Sequence, residues 1–202
     1  MRRQWLPVTT FLLIRHGLTD AVGTTITGRL PDVHLNDAGR KQAVELLARL
    51  GGWKIDAIGS SPLERALETA DPLARRLRLK VPVFDALNEV DFGAWSGMTI
   101  EQLNQLSEWR VYNTFRSSTP APGGELATEV QTRMVAVLTG LARQHPEQTV
   151  ALFSHADPIR LALVHFLGMP IDLMHRLEIR PASMSVVRLA EWGPQVVLLN
   201  SL

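Results

Sequence analysis

Short runs of branched apolar residues alternate with helix-like patterns along this chain, and that alternation constrains the fold more than any other feature. The runs are Phe11 to Ile14, Ile55 to Ile58, Val81 to Phe84 and Val150 to Phe153. A strand that is apolar on both faces has to be covered on both, which is the condition of a parallel sheet whose connections are helices. The expectation is an α/β protein: a three-layer α/β/α sandwich with a mostly parallel sheet.

The helices are marked by spacing and by their ends. From Asp37 to Leu50 the residues Ala43, Val44, Leu46, Leu47 and Leu50 recur at helical intervals, with Asn36 as N-cap and Gly51-Gly52 as the stop. A second helix is expected after Ser60-Ser61-Pro62, with Ser61 capping it, Pro62 at its first position and Pro72 as a kink or break before Leu77. Others are predicted from near Thr99, along the face Leu126, Val130, Met134, Val137, Leu138 and Leu141, and over Pro158 to Leu167. Met184 to Leu189 and Val196 to Leu199 flank Trp192-Gly193-Pro194, which predicts a closing hairpin with at least one antiparallel strand.

Two stretches interrupt this order. Asn88 to Gly97 mixes glycines with Phe92 and Trp95, as a shaped loop does, and Ser117 to Gly124 has the composition of a mobile loop. With 202 residues, 46% of them hydrophobic and 20% charged, the chain suits one folded domain, 1–202, with a cap or lid inserted around 88–125.

Composition narrows the chemistry. A net charge of +1 gives no general attraction to nucleic acid or to a membrane surface, so any anion site is local. No apolar run is long enough to cross a bilayer, and Met1 to Pro7 lacks a signal peptide's apolar stretch, so the expected location is cytoplasmic. Cysteine is absent, which excludes disulfides, thiolate nucleophiles and sulfur-ligated metals. Catalysis is left to His, carboxylates, Arg or hydroxyls.

Two segments share a plan in which a histidine directly follows an apolar strand: Phe11 to Gly17, with His16, and Val150 to Ala156, with His155. The carboxyl ends of parallel strands share one edge of the sheet, where ligands bind, so both histidines can face one pocket. Arg15, and Arg65 after Ser61-Pro62, would bring fixed positive charge to the same edge. Guanidinium groups bind phosphate oxygens through paired donors and stay charged. An imidazole nitrogen can attack phosphorus when its other nitrogen donates to a carbonyl, and an acid must then protonate the departing alkoxide. His16 is the candidate nucleophile and Glu89 the candidate acid, with Asp91 as its nearest rival.

The sequence resembles the histidine phosphatase superfamily, also called the phosphoglycerate mutase-like family, in five ordered blocks. These are Arg15-His16-Gly17 with Thr19; Gly28, Asp32, Leu35, Gly39, Gln42 and Ala43; and Ser61-Pro62-Leu63 with Arg65, Ala66, Thr69 and Ala70. Then follow Leu87, Glu89, Phe92-Gly93, Trp95, Gly97 and Pro122-Gly123-Gly124-Glu125, and last Ser154-His155 with Pro158-Ile159-Arg160. The resemblance implies that His16 is transiently phosphorylated, that Arg15, Arg65 and His155 line the phosphate pocket, and that Glu89 gives and later takes a proton. It implies that Thr27 and Gly28 border a small phosphorylated substrate. It implies no metal and no cofactor, and leaves homo-oligomerisation open.

The chain also departs from the pattern. Leu18 stands where the family usually has Glu or Gln, Ala21 and Val22 where an Asn often reaches the phosphate, and Ala156 where a Gly follows the second histidine. The block Glu89 to Gly97 resembles the phosphatase branch and lacks the Tyr-Gly of the mutases. The expected activity is a metal-independent phosphatase for a small-molecule phosphomonoester. The alternatives are phosphoglycerate mutase-type phosphoryl transfer, or a phospho-ligand-binding module that has lost turnover. His34, His145, His165 and His175 carry no motif and read as surface or packing residues, and Arg75, Arg76, Arg78 and Lys80 as a solvated helix end.

Overall fold

The computed structural model describes residues 7–202; Met1 to Leu6, on which the expectation about a signal peptide largely rests, lie outside the described residues. The strands are β1 (Val8–Arg15), β2 (Ala57–Ser60), β3 (Thr149–Ser154), β4 (Met184–Ala190) and β5 (Gly193–Ser201). They form one sheet in the order β2, β3, β1, β4, β5. The first three run parallel, β4 runs antiparallel to β1, and β5 closes the hairpin.

The helices are α1 (Asp37–Leu50), α2 (Glu64–Leu77), α3 (Ile100–Asn104), α4 (Ser107–Thr114), α5 (Ala127–Gln144) and α6 (Ala156–Phe166). The alternation of β1 assigns them to layers. Phe11 and Leu13 pack on Met134, Leu138 and Leu141 of α5 and on Ile159, Ala162 and Leu163 of α6. Leu12 and Ile14 point to the other face, against Leu46 and Leu50 of α1 and Ala66, Ala70 and Leu73 of α2. Each of the buried Phe, Leu, Ile and Met side chains among them contributes roughly 1.5–3 kcal/mol of apolar burial. Three layers result.

Several boundaries move for physical reasons. Asn36 caps α1 as expected, its Oδ1 accepting from the Gly39 N–H at 2.9 Å. The second strand lies at Ala57–Ser60, two residues later than its hydrophobic run suggests. Val81 to Phe84 is not a strand: it makes a single parallel bridge, Ser60 to Val83, because Pro82 has no N–H to extend the ladder. Helix α2 begins at Glu64 with Leu63 as an N-cap that lends no side chain, and it continues through Pro72. Thr99 and Gln102 form a reciprocal capping box that starts α3.

Residues 88–125 build a third apolar cluster at the carboxyl edge of the sheet. Val90, Phe92, Trp95, Leu103, Trp109 and Tyr112 pack there with Val130 of α5 and Leu161 and Val164 of α6. The segment Ser117 to Gly124 is tied at several points. Ser117 donates from its N–H and its hydroxyl to the Asp172 carboxylate at 2.8 and 2.9 Å, and the Ala94 N–H donates to the Pro122 carbonyl at 2.9 Å. No described helix is long and apolar enough to cross a membrane.

Candidate active site

Parallel pairing of β1 with β3 sets Arg15 opposite Ser154, so the next residue of each strand, His16 and His155, emerges at the same height. The His16 N–H donates to the Ser154 carbonyl at 3.0 Å, and the two imidazole centroids are 5.2 Å apart. Strand β2 lies on the far side of β3 and leads into α2, whose second residue is Arg65. Three neighbouring strands thus deliver two histidines and two arginines to one edge.

These groups surround a cavity of about 190 Å³ walled by Arg15, His16, Thr27, Gly28, Arg65 and Glu89, with Phe92, Asp157 and Arg160 among the others. His155 stands behind this wall, fully buried beside His16. Every residue singled out in the sequence as catalytic, phosphate-binding or substrate-bordering lies in or against this one place. Asp91 does not line it; its Oδ1 accepts from the Gly93 N–H at 2.9 Å and shapes the turn. His34 pairs with Glu68 at the surface and His145 with Gln148, and neither they nor His165 and His175 line the cavity.

Each group is held by part of its own bonding capacity. His16 Nδ1 lies 2.7 Å from the Gly17 carbonyl oxygen; since a carbonyl only accepts, Nδ1 carries the proton and Nε2 a lone pair. The Gly17 N–H in turn donates to Thr69 Oγ1 at 2.9 Å. Arg15 donates from Nη1 to Ile179 and Arg65 from Nη2 to Gly28, at 2.7 and 2.8 Å. Ser61, expected as a helix cap, instead places its hydroxyl 2.8 Å from His155 Nε2 while accepting the Leu63 N–H at 3.3 Å. The hydroxyl proton is free to point at Nε2, the arrangement in which His155 carries its own proton on Nδ1.

The remaining donors are unpaired. Arg15 Nε, Arg65 Nη1 and His155 Nδ1 are buried without a hydrogen-bond partner among the described residues. Leaving a buried polar group unsatisfied costs about 1–3 kcal/mol, more when it is charged. Three such donors at one edge make an anion the natural occupant.

The electrostatics separate the roles. Burial, then the charges of Arg65 and Arg15, hold His16 well below the ordinary histidine value against the opposing Gly17 hydrogen bond. The same burial and charges keep His155 low. Glu89 moves the other way: burial, then the Asp157 carboxylate, push it up to about 7, despite the Val90 N–H on Oε1 at 2.9 Å and the two arginines. The site combines a neutral imidazole, its Nε2 lone pair free, with a carboxyl that is about half protonated near neutrality.

Sequence reasoning missed one part of the wall. Asp157, in the first turn of α6, accepts from Arg116 at 2.6 Å and from Arg160 at 2.8 Å. Arg116 is 3% exposed, lies 4.3 Å over the Tyr112 ring and also bonds Asn113. Burial alone would raise the Asp157 carboxyl, but Arg116, followed by Arg160, outweighs it and holds the group well below the usual carboxylate range. Arg160 was one residue of a matching block, and its side chain was the only available signal.

Comparison with known proteins places the fold and the family. The chain is 35% identical over 198 residues to a bifunctional protein of Mycobacterium tuberculosis, covering 95% of this chain but 54% of that one; it spans about half the length of that relative. Phosphoserine phosphatase 1 of Hydrogenobacter thermophilus is 30% identical over 191 residues, which is 94% of this chain and 90% of that protein. Among solved structures, a mycobacterial glucosyl-3-phosphoglycerate phosphatase superposes with a TM-score of 0.86 at 27% identity, covering 96% of this chain and 100% of the other. The family model for branch 1 of the histidine phosphatase superfamily matches residues 11–202. That match takes in both strand-end histidines, both arginines and Glu89, and it is to this superfamily that the chain belongs.

Proposed function

We propose that the protein is a metal-independent phosphatase that hydrolyses a small phosphomonoester through a phosphohistidine on His16. The observation that carries this reading is the buried His16, kept neutral with Nδ1 on the Gly17 carbonyl, beside three unpaired buried donors. The phosphate oxygens take the free donors of Arg15, Arg65 and His155. His16 Nε2 attacks phosphorus, the bond from phosphorus to the ester oxygen breaks, and Glu89 gives its proton to the leaving alkoxide. Water then gives a proton back to the Glu89 carboxylate as its oxygen attacks phosphorus. The phosphorus–nitrogen bond breaks, and its electron pair returns to Nε2.

Thr27 and Gly28 border the ester's carbon part, and α3 and α4 with the loop before them form a cap over it, Phe92 and Ile100 reaching the cavity. A cavity of about 190 Å³ is below the usual range for drug-sized ligands and supports a small substrate. The phosphatase names of relatives that match most of their own length support hydrolysis over mutase transfer. A raised Glu89 supports turnover over mere binding. The test is phosphate release from a panel of sugar phosphates, phosphoglycerates, phosphoserine and nucleotides, in the presence of a chelator. Release that survives chelation and is lost in His16→Ala is the expected result; loss of release on chelation, restored by added metal, would refute the metal-independent scheme.

A further inference from the structure

Three charged side chains outside the cavity wall converge on the backbone that carries Glu89. Arg133, on α5, donates from Nη1 to the carbonyl oxygens of Ala86 and Asn88, both at 2.7 Å, and from Nη2 to that of Glu89 at 3.0 Å. Arg29 donates from Nε to the same Glu89 carbonyl at 2.9 Å. Glu125 stands between the two arginines, with Oε2 2.7 Å from Arg29 Nη2 and 3.1 Å from Arg133 Nη2. Its Oε1 accepts from Arg133 Nε at 3.2 Å, and the carboxylate also takes the Asp91 N–H at 3.1 Å.

The network reaches the phosphate pocket by the shortest covalent route. Arg29 follows Gly28, whose carbonyl takes the Arg65 Nη2 hydrogen bond at 2.8 Å. One peptide unit therefore joins the residue that holds Arg65 to the residue that holds Glu89. Two cations on a single carbonyl would repel each other; Glu125 pairs with both, weakens that repulsion and fixes both planes, as a carboxylate does for guanidinium forks.

We infer that Arg133, Arg29 and Glu125 form a positioning clamp that sets the Glu89 carboxyl at the leaving-group oxygen of a phosphate held by Arg15 and Arg65. The inference rests on the proposed phosphatase reading and assigns these three residues to proton transfer, not to phosphate binding or to attack by His16. Misplacing a reacting group by about 1 Å costs up to roughly 100-fold in rate. An ester with a good leaving group does not need the acid in the transfer to His16, so in that step the clamp matters only for poor leaving groups.

The test compares Arg133→Met and Glu125→Gln with the unaltered protein on phosphoserine and 2-glycerophosphate, which are alkyl esters, and on p-nitrophenyl phosphate, an aryl ester. The expected result is a fall in kcat/KM, which reports the transfer to His16, of about 10- to 100-fold on the alkyl esters, with kcat/KM on the aryl ester reduced by less than about 3-fold. Arg133→Lys should recover part of the loss, because it restores one donor. The milder Glu125→Gln keeps the test alive if Arg133→Met fails to fold. Equal losses on both ester types, or none on either, while Glu89→Gln stays selective for alkyl esters, would overturn the clamp alone. If Glu89→Gln shows no such selectivity, the acid role falls and the clamp with it.

Discussion

His16 Nδ1 donates to the carbonyl oxygen of Gly17 at 2.7 Å, so the tautomer of the proposed nucleophile is set by the residue that follows it. The Gly17 backbone is pressed against the start of α1. A Cβ at Gly17 would meet the Gly39 carbonyl oxygen at 2.8 Å, and one at Gly39 would meet the Leu18 carbonyl oxygen at 2.0 Å. Gly39→Ala should therefore displace the loop behind His16. We expect a stability loss of about 2 kcal/mol or more, in the range of overpacked cores, with kcat/KM down by more than about 10-fold. Urea unfolding and steady-state kinetics check both, and a variant with unaltered kinetics would break the link between this contact and the nucleophile.

The pH profile follows from two opposite displacements. His16 lies well below its ordinary value, so it is already neutral when the pH reaches the ordinary histidine range and limits activity only on the acid side. Glu89 lies at about 7 and, in the proposed scheme, must be protonated to act, so kcat/KM on an alkyl ester is expected to fall as the pH rises through about 7. Glu89→Gln should remove that alkaline limb and lower kcat/KM on alkyl esters on the order of 100-fold, with a smaller effect on kcat/KM for p-nitrophenyl phosphate. Persistence of the same limb in Glu89→Gln would assign it to another group.

The buried pair of Arg116 and Asp157 gives a prediction about stability. Asp157→Ala leaves Arg116 charged, 3% exposed and without its carboxylate, a situation that costs about 3–5 kcal/mol. The Asp157 carboxyl is depressed in the folded protein, so its contribution is present above the unfolded value near 4 and is lost as the pH falls below it. The gap in urea midpoint between the unaltered protein and Asp157→Ala should be widest near neutral pH and narrow as the pH drops from about 4 toward 2. A constant gap would remove the linkage.

How much of this can be read from residues alone depends on how far apart the partners are. The two histidines are legible because each ends an apolar run, and parallel pairing brings equivalent ends together. Helix α1 is legible from Asn36 and the spacing that follows it. Glu89 and Asp91 are not separable by sequence, since both are loop carboxylates two positions apart; only the turn at Gly93, which uses Asp91, divides their roles. Asp157 reads as an ordinary first-turn acid at a helix N-terminus, and its partner Arg116 comes from beyond the end of α4. Ser61 reads as a cap, yet its hydroxyl serves a histidine 94 positions away. Val81 to Phe84 has a strand's composition, and Pro82 stops its ladder after one bridge.

The most direct test of the central claim is to trap the intermediate. The protein is mixed with p-nitrophenyl phosphate, quenched in alkali within the first turnovers, digested and mapped by mass spectrometry. The expected result is a single phosphoryl group on His16, absent from His16→Ala and lost on exposure to acid, as a phosphorus–nitrogen bond requires. Steady turnover with no phosphoryl group on His16, or with one carried by another residue, would contradict it.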